Sequence, residues 1–227
     1  MIDDAAADRV RTLCDEAAEA EFRKLMQITA GWPGREAFLR HVLTASDRDV
    51  FLDYLAELRY ALVFRGLGFS VRFEPCGAAG PDLEVTRDGR AAMVEVARFR
   101  PRNPGPPLRD LGVLEEYGNP ERDIAKSIAK VRHKFNQARG DLYIVAIWND
   151  DDALEELEIQ FAVERLARHS ERPLSLQFVL YGSPWVGRQQ LHCFRTSSMP
   201  DAPLSGWMSD LEQTTVMTAV RHAEEAT

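Results

Sequence analysis

Two acidic residues, Asp82 and Glu95, occupy positions where a short β-hairpin would bring them together. Asp82 opens one short β-like run, and Glu95 lies in the middle of the next run, which is mostly apolar. The four residues Arg-Asp-Gly-Arg at 87–90 predict a tight turn between the runs, because Asp-Gly supplies the positive φ angles that such a turn requires. Converging carboxylates suit a hard divalent cation such as Mg²⁺, which prefers oxygen ligands. The hairpin therefore predicts a metal site at one edge of a sheet.

The alternative interpretation is a surface hairpin whose carboxylates face solvent. Glu95 argues against it, because a charge in an apolar strand is costly unless it has a purpose. The neighbours of Glu95 in the chain are Met93, Val94, Val96 and Ala97. We therefore favour the site.

Glu57 is a third candidate, because it interrupts an otherwise apolar and aromatic flank of a predicted helix. The other members of that flank are Val50, Tyr54, Ala61 and Phe64. Two interpretations remain open. Glu57 contributes to a site, or it has no site role and either forms an ion pair with Arg59 or Arg65 or lies at a partly solvated edge.

Hydrophobic periodicity predicts the elements that position these residues. Helices are predicted over 3–29, near 38–42, over 49–66, near 124–138, over 153–168 and from 208 onward. Strands are predicted over 69–73, 83–86, 92–99, 142–148, 176–181 and 190–194. The four prolines in 101–107 predict a loop. The chain divides into an N-terminal helical extension (1–46), a core (47–150) and a C-terminal α/β extension (151–227).

The order helix, three strands, helix, strand over about 49–148, with Pro81-Asp82 and Glu95 in the second and third strands, resembles the PD-(D/E)xK phosphodiesterases. The resemblance implies an α/β restriction-endonuclease-like fold, an αβββαβ core with a mixed central sheet flanked by helices. It implies a Mg²⁺-dependent (or Mn²⁺-dependent) nuclease that acts on DNA, or less readily on RNA. Asp82 and Glu95 would bind the metal, and Glu57 would complete or orient its shell.

Position 97 departs from this motif, because the expected lysine is Ala97. The motif lysine stabilises charge on the phosphate and helps to activate water, and losing one such donor costs about 10²–10³ in rate. Three explanations remain open: a lysine of the following helix, Lys130 being our candidate, replaces it; the site has decayed; or the alanine was introduced to inactivate the enzyme. A decayed site would make the chain an inactive nuclease-fold module that binds nucleic acid or protein.

Charge is distributed unevenly along the chain. The net charge is −8, yet residues 98–139 carry a net +5 and the remainder −13. The overall acidity argues against a protein that coats nucleic acid through bulk positive charge. Any surface facing a polyanion would begin just after Glu95, and the candidate phosphate contacts are Arg98, Arg100, Lys126 and Lys134. A solvated charged surface is the alternative for each.

The remaining composition excludes several classes of protein. Three cysteines without short spacing indicate neither a disulfide framework nor a zinc site. The N-terminus lacks the pattern of a secretory signal, and no apolar run reaches the roughly twenty residues that span a bilayer. We expect a cytoplasmic protein that does not enter the membrane. A homodimer is reasonable for a nuclease that cuts both strands.

Overall fold

The computed structural model of the chain describes residues 2–77, 80–99, 125, 128, 142–149, 156–168, 176–183, 190–196 and 202–225. Its helices are α1 (Ile2–Leu13), α2 (Glu16–Ile28), α3 (Arg35–Leu43), α4 (Arg48–Gly66), α5 (Glu156–Arg168), α6 (Ala202–Glu212) and α7 (Val216–Glu225). Its strands are β1 (Ser70–Phe73), β2 (Leu83–Arg87), β3 (Arg90–Phe99), β4 (Tyr143–Asn149), β5 (Leu176–Gly182) and β6 (His192–Arg195).

The six strands form one mixed sheet in the order of the chain, β1 to β6. The first three form an antiparallel meander, β3, β4 and β5 run parallel, and β6 returns antiparallel. Helices pack on both faces of this sheet. The predicted α/β class with a mixed central sheet flanked by helices is therefore confirmed, and the strands of the C-terminal extension belong to the same sheet.

The hairpin between β2 and β3 has the predicted turn. Asp88 and Gly89 have φ angles of 54° and 75°, and Arg87 pairs with Arg90 across the turn. Two successive positive φ angles match the twist that joins neighbouring antiparallel strands in a two-residue loop. The turn fixes the register, which pairs Leu83 with Val94.

Residues of β3 alternate between two hydrophobic clusters. Ala92 and Val94 belong to the larger cluster, together with α4 and the other helices of that side, and we call this side the α4 face. Met93 belongs to the second cluster, with residues of α5, on the side that we call the α5 face. Ala125 and Ile128, which are helical, also pack in the second cluster.

The helix that should follow β3 lies mostly outside the described residues, as does the predicted loop over 101–107. Parallel neighbours such as β3 and β4 need a crossover connection, which is usually helical. The helical Ala125 and Ile128 are in the segment that makes this crossover. Among the described residues, no helix is long and apolar enough to cross a membrane.

Capping residues explain where several helices begin. The Asp47 side chain accepts from Val50 N at 3.0 Å and starts α4. The predicted helical stretch 3–29 is divided in two, because Asp15 caps α2 by accepting from Ala18 N. The single terminal helix predicted from 208 is wrong: two helices are present, and Thr215 caps the second.

Replacing Gly66 by alanine is expected to lower the free energy of unfolding by about 1–3 kcal/mol, because overpacking forces the backbone to shift. A Cβ at Gly66 would lie 2.0 Å from the backbone oxygen of Ala219 on α7. Gly206→Ala on α6 is the control, since a Cβ there meets no described atom within 4 Å. Urea unfolding should find Gly206→Ala at least as stable as the unmodified protein, because alanine favours helix. Equal stability of the two variants would contradict close packing of α4 on α7.

Candidate functional site

Asp82 lies at the start of β2, between β1 and β3. Its Oδ2 accepts a hydrogen bond from Val96 N at 2.7 Å, and its backbone oxygen accepts from Glu74 N at 2.8 Å. Because Leu83 pairs with Val94, the register continued by one residue sets Asp82 opposite Glu95. The structure therefore brings Asp82 to the stretch of β3 that carries Glu95, as the hairpin predicted.

Glu95 is buried within β3, with 2% of its surface exposed. Its register partner on β4 is Val145, which belongs to the cluster of the α5 face. Side chains of a strand alternate between faces, so Glu95 shares the α5 face with Met93. A carboxylate at this depth is costly unless charge or hydrogen bonds stabilise it.

Glu57 is buried on α4, on the opposite face of the sheet. Tyr54 lies one turn earlier on α4. Burial raises the pKa of its phenol, and the carboxylate of Glu57 raises this pKa further. Smaller contributions to the same pKa come from Glu74, Asp53 and Asp82. Glu57 and Asp82 therefore act on the same hydroxyl.

The arginines considered as partners of Glu57 have other contacts. Arg59 donates to both carboxylate oxygens of Glu21 at 2.8 Å, and its guanidinium lies 4.8 Å from the centre of the Trp148 ring. The guanidinium of Arg65 lies over the ring of Trp32 at 5.6 Å. A role for Glu57 in the site stays a prediction.

Glu74 and His41 lie close to Asp82, and the sequence did not indicate either of them as a candidate. Glu74 follows β1 with a φ of 46°, in the left-handed region where a non-glycine residue costs about 1–3 kcal/mol. Its side chain is 9% exposed, and its Oε1 contacts Nδ1 of His41 on α3. Glu74 precedes Pro75, which favours an extended conformation, so no local signal could have predicted this geometry.

Arg98 points to the α4 face, opposite to Glu95, because side chains alternate along a strand. Its guanidinium forms ion pairs with Asp49 at 2.7 Å and Asp53 at 3.1 Å, and its side chain is 7% exposed. A phosphate would have to displace these carboxylates, so contact between Arg98 and nucleic acid stays a prediction. The other predicted cations, Arg100, Lys126, Lys130 and Lys134, lie outside the described residues.

Ala97 lies on the same face as Glu95, and its register partner is Ile147 in the cluster of the α5 face. The helical residues Ala125 and Ile128 pack in that cluster too. Ala125 and Ile128 are therefore on the side of the sheet where Glu95 and Ala97 lie.

The pair Asp82 and Glu95 has the donor chemistry that Mg²⁺ uses. Mg²⁺ is commonly held by one or two carboxylates, with water and substrate phosphate supplying its other ligands. Within the part of the chain that the structure describes, no group of three His, Cys, Asp or Glu residues is arranged to hold a metal ion. A metal held by Asp82 and Glu95 therefore stays a prediction, as does a shell completed by Glu57.

Comparison with protein-family models, with curated proteins and with solved structures finds no match to this chain. The resemblance to the PD-(D/E)xK phosphodiesterases accordingly stays a prediction.

Proposed function

We propose that the chain is a metal-dependent phosphodiesterase of restriction-endonuclease-like fold that hydrolyses DNA. The strongest support is Glu95, a carboxylate that is 2% exposed in an apolar strand, with Asp82 opposite it when the register of β2 and β3 is continued by one residue. Asp82 is partly buried. Two carboxylates brought together in this way would repel each other, and a divalent cation would turn the repulsion into attraction. RNA as substrate and a homodimer as the active form remain predictions.

The order of elements supports the proposed fold. A long helix, α4, precedes an antiparallel meander of three strands, and β4 then joins β3 in parallel after a crossover segment. This succession agrees with an αβββαβ core. Asp82 directly precedes the second strand of the meander and Glu95 lies in the third, an arrangement that agrees with the motif.

The site residues have separable tasks in the proposed reaction. A divalent cation at the pair would polarise the scissile phosphate and lower the pKa of a water molecule. Asp82 is oriented for this task by Val96 N, which binds its Oδ2. Glu95 is held by the sheet, since its strand has neighbours on both sides. Rigid strands are suited to keep such a pair in place.

An inactive nuclease-fold module is the second candidate function. Ala97 provides no cation, and the neighbouring Arg98 is engaged by Asp49 and Asp53 of α4. These observations favour a protein that binds nucleic acid or another protein without cutting. The two candidates differ in whether metal-dependent cleavage occurs at all.

Asp82→Asn is expected to lower metal-dependent DNA cleavage by at least about 10², the scale of losing one group that stabilises the transition state. The measurement is cleavage of single- and double-stranded DNA with Mg²⁺ or Mn²⁺. Asp88→Asn is the matched control, because Asp88 is exposed in the hairpin turn and asparagine tolerates a positive φ.

Thermal unfolding should show that both variants remain folded. Cleavage by the unmodified protein and by Asp88→Asn, but not by Asp82→Asn, would support the enzyme. Absence of cleavage in the unmodified protein, or an undiminished rate in Asp82→Asn, would contradict it.

A further inference from the structure

His41 and Glu74 form a side-chain pair to which the proposed reaction assigns no role. Nδ1 of His41 contacts Oε1 of Glu74, and the two side chains are 33% and 9% exposed. A carboxylate that accepts from Nδ1–H fixes the tautomer of the imidazole and leaves Nε2 with its lone pair. The pair therefore has the composition of an oriented proton acceptor.

The start of α3 is anchored to the end of β1. Phe73 N donates to Pro33 O at 2.9 Å, and Gly34 packs so closely that a Cβ would lie 2.0 Å from Phe73 O. The ring of Phe38 then packs on the rings of Phe73 and Tyr54, with centroids 4.9 Å and 5.7 Å apart. These contacts hold α3 so that His41 meets Glu74 directly after the strand.

Glu74 links His41 to the candidate metal ligand. Its side chain contacts His41, and its backbone nitrogen donates to the backbone oxygen of Asp82 at 2.8 Å. Tyr54 gives a second sign of this proximity, because the charges of Glu74 and Asp82 both raise the pKa of its phenol. The left-handed φ of Glu74 shows that the backbone is held in a demanding conformation at this point.

We propose that His41, oriented by Glu74, accepts the proton of the attacking water, a task that a lysine at position 97 would otherwise share. This inference rests on the proposed phosphodiesterase function. The water oxygen forms a bond to phosphorus while its proton passes to Nε2 of His41. The phosphorus–oxygen bond to the leaving nucleoside breaks, and that oxygen takes a proton from solvent. A base on α3 would take over the part of the reaction that the lysine, absent at Ala97, cannot perform.

His41→Ala is expected to lower cleavage by about 10²–10⁴, the contribution typical of a positioned base. Added imidazole should restore part of the rate, since it can occupy the space of the missing ring. His222→Ala, at an exposed position of α7, is the matched control and should cleave at the unmodified rate with no response to imidazole.

Nitrogen NMR of the histidine rings gives a measurement that needs neither metal nor activity. The signal that His41→Ala removes is expected to report the Nδ1–H tautomer, and Glu74→Ala should shift it towards Nε2–H. Glu84→Ala, on β2, should leave it unchanged.

The outcomes separate this inference from the function on which it rests. An unmodified protein that cleaves, with His41→Ala cleaving equally fast or losing activity without imidazole rescue, would overturn the role of His41 alone. An Nε2–H tautomer at His41 would overturn it as well. No cleavage in the unmodified protein would overturn the phosphodiesterase function and this role together.

Discussion

Ala97→Lys is expected to raise the rate of metal-dependent DNA cleavage by about 10²–10³, the amount that one donor to the transition state contributes. Ala97 lies on the same face of β3 as Glu95, two residues further along. The side chain of a lysine at this position would therefore leave the strand on the face that carries Glu95. Its ammonium group would oppose the charge that develops on the phosphate. Ala97 is only partly buried, which gives the longer side chain a path towards solvent.

Ala91→Lys is the matched control for this gain. Ala91 is exposed near the hairpin turn on the same strand, so the variant adds the same charge far from Asp82. The comparison needs initial rates with saturating Mg²⁺ and an unfolding curve for each variant. Equal rates for Ala97→Lys and Ala91→Lys would show that position 97 does not face the reacting phosphate.

Local signals were sufficient to predict the hairpin and the buried strand. The Asp-Gly turn at 88–89 fixes the register of β2 and β3 by its own geometry, and this register alone brings Asp82 to Glu95. The apolar run of β4 predicts a strand that is covered on both faces, and all its residues are buried. The start of α4 depends on a local signal too, because its cap, Asp47, is adjacent to the helix in sequence.

The surroundings of the pair could not be predicted, because they depend on contacts between distant segments. Thirty-three positions separate His41 from Glu74, and Arg98 lies 45 positions from Asp53. The first contact requires α3 to pack against the end of β1, and the second requires α4 to cross the end of β3. The hydrophobic period and the composition of these helices do not identify the surface against which they pack, since an apolar stripe specifies burial but not the surface that covers it.

The predicted carboxylates lie on different faces of the sheet, and this limits which of them could bind the same metal ion. Glu95 lies on the α5 face, whereas Glu57 lies on α4. Oδ2 of Asp82 accepts a hydrogen bond from Val96 N on β3, and the charge of Asp82 also raises the pKa of Tyr54 on α4. Asp82 therefore interacts with residues of both β3 and α4. Asp82 and Glu95 are therefore the pair on which metal affinity should depend most.

Metal binding should consequently stabilise the fold, and Glu95→Gln should remove most of that stabilisation. A ligand present at a hundred times its Kd adds about 2.7 kcal/mol to the free energy of unfolding. For a chain of this length that corresponds to a rise in Tm of roughly 5–10 °C. The amide of glutamine keeps the size of the side chain but provides no charge for Mg²⁺ or Mn²⁺.

Glu84→Gln is the matched control, because Glu84 is an acidic residue of the same hairpin and pairs with Met93 in the register. Its carboxylate lies 3.9 Å from the guanidinium of Arg72 on the edge strand β1, in an ion pair. Calorimetry with and without metal should give the full rise in Tm for the unmodified protein and for Glu84→Gln. Glu95→Gln should show a clearly smaller rise, since one of two carboxylate ligands is lost. An equal rise in all three proteins would place the ion elsewhere, and no rise in the unmodified protein would remove the metal from the proposal.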